Sequence, residues 1–158
     1  GASVEGEIGS IGGAEGDMAS ADIQVTSVSE AKRFAAETKV DALAVAIGTA
    51  HGNYKETPHL RIDRLQKIHE ALDTPLVLHG GTGLTAADFH NCLVNGITKI
   101  NIATASYDRS AAKIKEVHQA KPEANYFDFS EAISVGTYEN VKKHMEIFGL
   151  KGKAGLYN

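Results

Sequence analysis

Apolar residues along this chain gather in short unbroken runs, separated by stretches in which they recur every three or four positions. The clearest runs are Val40-Asp41-Ala42-Leu43-Ala44-Val45-Ala46-Ile47, Pro75-Leu76-Val77-Leu78 and Thr98-Lys99-Ile100-Asn101-Ile102. Runs of this kind suit parallel strands covered on both faces. Ser3-Val4-Glu5-Gly6-Glu7-Ile8 alternates instead and reads as a fourth strand. The intervening stretches are helical. Residues 29–38 open on Ser29 and carry Phe34 toward a core, and Leu65, Ile68 and Leu72 fall at i, i+3 and i+7. Thr85-Ala86-Ala87-Asp88 has the form of a capping box, followed by an apolar stripe of Phe89, Cys92 and Leu93. Residues 126–148 read as one or two helices. Gly149 is placed to end them, and Lys142, Lys143 and His144 lie near the negative end of the helix dipole.

Strand and helix thus alternate every 25–35 residues or so, the rhythm of right-handed β-α-β units. The pattern predicts an α/β fold of about four β-α units, half of an eight-stranded TIM barrel. Gly9 to Gly16 is too glycine-rich for a helix and reads as a mobile loop.

Composition narrows the class. The 158 residues fit one domain or a piece of a larger one. With 42% hydrophobic and 23% charged residues the chain can bury a core. A net charge of -4 argues against a nucleic-acid partner. The absence of an 18-residue apolar run argues against a membrane-spanning helix. The first residues lack the basic and apolar regions of a signal peptide. The single cysteine, Cys92, reads as a buried helical thiol, and a cytoplasmic location is expected.

Each central run ends in small or polar residues: Gly48-Thr49-Ala50-His51-Gly52, His79-Gly80-Gly81-Thr82-Gly83 and Asn101-Ile102-Ala103-Thr104. In a β/α barrel these ends form the active face. Two histidines there can share one metal. A catalytic zinc keeps three protein ligands and an open position, so two are one short. Gly80-Gly81-Thr82-Gly83 precedes a helix, where backbone N–H groups and the helix dipole attract an anion such as phosphate.

Four segments in order carry a specific resemblance: Val4-Glu5-Gly6-Glu7-Ile8-Gly9, residues 44–55 ending His51-Gly52-Asn53-Tyr54-Lys55, residues 76–83, and residues 99–104. Together they resemble the signatures of class II, zinc-dependent fructose- and tagatose-bisphosphate aldolases. The resemblance runs from Gly1 to about Ala154 and implies that residues 1–158 are the C-terminal half of a single TIM-barrel domain, the N-terminal half being absent. It implies that His51 and His79 ligate zinc, which acts as Lewis acid on the ketone. Glu5, Glu7 and Asn101 take catalytic roles, one of the glutamates as an alternative metal ligand. Gly52, Lys55, Gly80, Gly81, Thr82, Asn101, Ile102, Ala103 and Thr104 surround the phosphate of dihydroxyacetone phosphate, with a monovalent cation (sodium or potassium) beside it. The reaction implied is reversible cleavage of a phosphorylated ketose to dihydroxyacetone phosphate and an aldehyde, by a homo-oligomer (dimer or tetramer).

Two departures qualify this. The family's third histidine and adjacent proton-donating aspartate have no counterpart, since no Asp-His pair occurs here, and both are expected in the missing half. Tyr107 stands where family members carry a basic residue, which leaves ketoses other than fructose bisphosphate open. A catalytically inactive phosphosugar-binding or scaffold barrel fragment is the alternative reading, and another zinc barrel enzyme, such as an epimerase, a third. His59, His69, His90, His118 and His144 match no site. Tyr126-Phe127-Asp128-Phe129 is expected to pack the last helix, residues 113–116 to form a solvated face, and Asp108 and Arg109 to face the site or form an ion pair.

Overall fold

The computed structural model describes residues 1–10, 24–53 and 58–157. Most of the expected glycine-rich loop, from Ile11 onward, lies outside the described residues. The chain divides into two compact units, Gly1–Ile102 and Ala103–Asn158.

The first unit is a four-stranded sheet of β1 (Glu5–Ile8), β2 (Ala42–Val45), β3 (Leu76–Leu78) and β4 (Ile97–Ile100). All pairs are parallel and the spatial order follows the chain. Helices α1 (Val28–Thr38), α2 (Ile62–Ala71) and α3 (Ala86–Val94) connect them. The α/β rhythm expected for half a barrel is therefore present. Ser27, two residues before the expected start, caps α1, exchanging hydrogen bonds with Glu30. Thr85 and Asp88 close the predicted capping box on α3. Leu65 and Ile68 of α2, Phe89 and Cys92 of α3, and Leu43, Val45, Leu76 and Leu78 of the strands are fully buried or nearly so. Burial, with a smaller push from Asp88, raises the Cys92 thiol to about 11, so it stays protonated.

Residues paired across a parallel ladder point to the same face. The register Glu7↔Ala44, Ala44↔Val77 and Val77↔Lys99 thus puts these four on one face, joined by Glu5 and Ala42. Leu43, Leu76 and Ile97 line the opposite face. β4 holds one irregularity: Leu76 pairs with Ile97, but Val77 pairs with Lys99, leaving Thr98 as an extra residue. Ile97 and Ile100 are three apart, a spacing that cannot share one face of a regular strand. The bulge reconciles them, and it turns Lys99 to the side of Val77.

β1 and β4 are the two edges, about 14 Å apart in a flat sheet of ordinary spacing. Yet Glu5 of β1 accepts a hydrogen bond from Lys99 Nζ of β4 at 2.7 Å. The sheet curls toward this face, and the bridge passes over the small side chains of Ala42 and Ala44 and over the buried Val77.

The second unit is an antiparallel pair of long helices, α4 (Thr104–Ala120) and α5 (Tyr126–Ile147). Asn125 caps α5 in a box with Asp128. After the C-cap Phe148, Gly149 at φ +70° ends the helix as expected, with Leu150 N–H reaching back to Met145 O. Arg109 settles its open reading: it pairs with Glu116 at 3.0 Å and with Glu139, and Lys113 joins the same two carboxylates. The expectation for residues 126–129 is corrected. Tyr126 and Phe127 are more than three-quarters exposed, and only Phe129 packs, near His118. They occupy the first turn of α5, where the helix has few neighbours.

Gly136 lets α4 and α5 meet, since a Cβ there would lie 2.6 Å from Ser110 Cα and 2.9 Å from Arg109 O. Backbone cannot yield as a side chain can. Gly136→Ala should destabilise the protein by about 1–3 kcal/mol net of alanine's advantage in helices. Denaturant unfolding checks this, and an unchanged or higher midpoint would refute the close approach.

Candidate functional site

The polar face of the sheet converges on His79, which directly follows β3 and is 14% exposed at its side chain. Its Nε2 lies 3.0 Å from Glu5 Oε1 and 3.0 Å from Asn101 Nδ2. Its Nδ1 lies 3.3 Å from Glu7 Oε1. The i, i+2 spacing of Glu5 and Glu7 on β1 places both carboxylates on this face. Lys99 donates to Glu5 Oε2 and to Asn101 Oδ1, each at 2.7 Å. The Lys99 ammonium, more than the His79 ring, holds the Glu5 carboxyl below the usual carboxylate range against the opposing effect of burial. Asn101 N–H meanwhile donates to Leu78 O, continuing the ladder one step past β4.

His51 comes from the loop after β2. Its ring centroid is 6.1 Å from that of His79, with the planes tilted by 33°. The approach depends on Gly80. At φ +69° this residue lies against Ala50, and a Cβ on it would sit 2.5 Å from Ala50 O. Only glycine lets the two histidine loops come this close.

Imidazole and carboxylate are both donor types that zinc takes. Metal–ligand distances of about 2.0–2.1 Å put neighbouring ligand atoms of a tetrahedral zinc about 3.3 Å apart. That matches the separation of His79 Nδ1 from Glu7 Oε1. Two imidazoles on one such ion have centroids about 5 Å apart, so His51 would need to close by about an ångström. Among the described residues, no group of three or more His, Cys, Asp or Glu side chains is placed to hold a metal ion.

The residues expected to bind an anion divide. Gly80, Gly81 and Thr82 form the turn after β3, with Thr82 buried. A Cβ on Gly81 would meet Ile102 Cγ1 at 2.9 Å, which brings the turn beside residue 102. The first turn of α3 is less suited to an anion than expected, because Thr85 Oγ1 already accepts from Asp88 N–H and the Asp88 carboxylate stands there. Asn101 faces His79 and Lys99. Ala103 and Thr104 belong to the second unit, where α4 opens without a side-chain cap. Gly52 follows His51 at φ +83°. Lys55 lies outside the described residues.

Lys99 is the site residue that sequence reasoning passed over. A lysine within an apolar run, two positions before Asn101, was the available signal.

Comparison with known proteins identifies the family. Residues 1–153 match the family model described as fructose-bisphosphate aldolase class-II. A sulfofructosephosphate aldolase from Alkalicoccus urumqiensis is 39% identical over 97% of this chain and 54% of its own length. The crystal structure of the YdjI aldolase from Escherichia coli K12 superposes with a TM-score of 0.79 at 30% identity, over 96% of this chain and 51% of that one. A structure from Coccidioides immitis assigned as a fructose-1,6-biphosphate aldolase gives 0.84 at 29% identity, over 98% and 54%. The chain spans about half the length of these relatives. It belongs to the class II fructose-bisphosphate aldolase family.

Proposed function

We propose that this chain supplies the zinc- and triose-phosphate-binding part of an aldolase that reversibly cleaves a phosphorylated ketose to dihydroxyacetone phosphate and an aldehyde. The observation that carries this reading is His79 held between two carboxylates, Nδ1 3.3 Å from Glu7 and Nε2 3.0 Å from Glu5, with His51 beside it. His51 and His79 would hold zinc, with Glu7 as the alternative ligand. The metal, when bound, supplies a Lewis acid that polarises the substrate carbonyl. Glu5 orients the His79 ring, as outer carboxylates do for metal-bound histidines. The Asn101 amide offers an N–H to a substrate oxygen. Backbone N–H groups of Gly80, Gly81 and Thr82 bind the phosphate with Ile102, Gly52 and Lys55, and a sodium or potassium ion offsets the added charge. The proton-transferring aspartate comes from sequence beyond these 158 residues, as does the rest of the barrel, and the assembled enzyme is a homo-oligomer in the cytoplasm.

The relatives divide over the substrate. Fructose and tagatose bisphosphates and sulfofructosephosphate should therefore be assayed in parallel on the complete protein, reading dihydroxyacetone phosphate. Zinc-dependent cleavage of at least one is expected. Tight binding of these sugars with no cleavage of any would support the inactive phosphosugar-binding alternative instead.

A further inference from the structure

Two groups contend for one nitrogen. Glu5 Oε1 and Asn101 Nδ2 both stand 3.0 Å from His79 Nε2. A carboxylate can only accept there and an amide nitrogen can only donate, so the two favour opposite tautomers of the ring. If Nε2 carries the proton it donates to Glu5, and the lone pair of Nδ1 faces Glu7 and a cation. If Nδ1 carries it, Nε2 accepts from Asn101 and the ring offers no lone pair on the side of Glu7. The outcome depends on how firmly each contender is held.

Both are held by the same group. Lys99 Nζ donates at 2.7 Å to Glu5 Oε2 and at 2.7 Å to Asn101 Oδ1, engaging the far oxygen of the carboxylate and the oxygen of the amide. It bridges the two edge strands, and the β4 bulge is what brings it to this face. We infer that Lys99 is a positioning residue, fixing the Glu5 carboxylate and the Asn101 amide against His79 Nε2 and so setting which ring nitrogen is presented on the side of Glu7. It touches neither ring nitrogen itself. This rests on the reading of the His79 cluster as a metal centre.

The test compares the complete protein with Lys99→Met, which keeps the length of the side chain and removes its donors, and Lys99→Arg, which keeps a charged donor. The ¹⁵N shifts of the His79 ring are read without metal, and zinc affinity by competition with a chelator. Lys99→Met should shift the His79 ring nitrogens in the metal-free protein and weaken zinc binding by about 10–100-fold, the usual cost of losing an outer partner of a metal ligand. Lys99→Arg should recover most of both. A merely structural lysine would alter the unfolding midpoint without moving the ring nitrogens. An unchanged His79 spectrum in a folded Lys99→Met protein overturns the inference, whether or not zinc binds. Failure of the unsubstituted protein to bind zinc would count against the proposed function, and the ring shifts would still decide the role of Lys99.

Discussion

Replacing His79 with alanine should abolish stoichiometric zinc binding and lower kcat/KM by more than 100-fold, beyond the roughly 10–100-fold expected from loss of an outer partner such as Glu5. His79 is where the site's interactions meet: Glu5, Glu7 and Asn101 all contact its ring, and His51 lies alongside. Removing the ring takes away a ligand and leaves two carboxylates facing each other across the space. Glu5→Gln keeps the shape and a hydrogen-bond acceptor but not the charge, so its effect should be smaller. Metal content after gel filtration and steady-state kinetics on the complete protein would rank the two. Equal effects from both would mean that His79 acts only through Glu5 and is not itself a ligand.

Gly80→Ala should be nearly as damaging, though it deletes no functional group. The left-handed conformation costs a residue with Cβ about 1–2 kcal/mol. The new carbon would also fall 2.5 Å from Ala50 O, an atom of the backbone that precedes His51. Relief requires the loops bearing His51 and His79 to separate, so affinity for zinc and for dihydroxyacetone phosphate should fall together. Gly81→Ala provides the contrast. Gly81 has no positive φ, and its Cβ would press on side chains alone, Ile102 Cγ1 at 2.9 Å, Phe89 at 3.3 Å and Ile100 at 3.4 Å, rather than on backbone. Titration calorimetry with both ligands should show a large loss for Gly80→Ala and a modest one for Gly81→Ala. The reverse order would mean that the close approach of the two loops does not shape the site.

Much of this was legible in the sequence because its causes are local. Continuous apolar runs marked the parallel strands, and the capping box at Thr85 and Asp88 announced α3 from four residues. His51 and His79 stood out because each follows such a run. The rest depended on distant pairing. Lys99 is bonded to Glu5, 94 positions away in the chain, and nothing near it in sequence names that partner. The bulge in β4 could have been inferred from the three-residue spacing of Ile97 and Ile100, although its effect on Lys99 follows only from the register with β3. At the α3 N-terminus, the same box that revealed the helix also occupies its first turn. Tyr126 and Phe127 look like core residues by type, but exposure is set by what packs against the first turn of α5.

The measurement that bears most directly on the central claim is zinc-edge X-ray absorption on the complete protein loaded with one equivalent of zinc. A nitrogen and oxygen shell at about 2.0–2.1 Å with imidazole scattering is expected, losing imidazole character in both His51→Ala and His79→Ala. A protein that retains no stoichiometric zinc, or a spectrum that neither substitution alters, would contradict the assignment of this cluster as the metal centre.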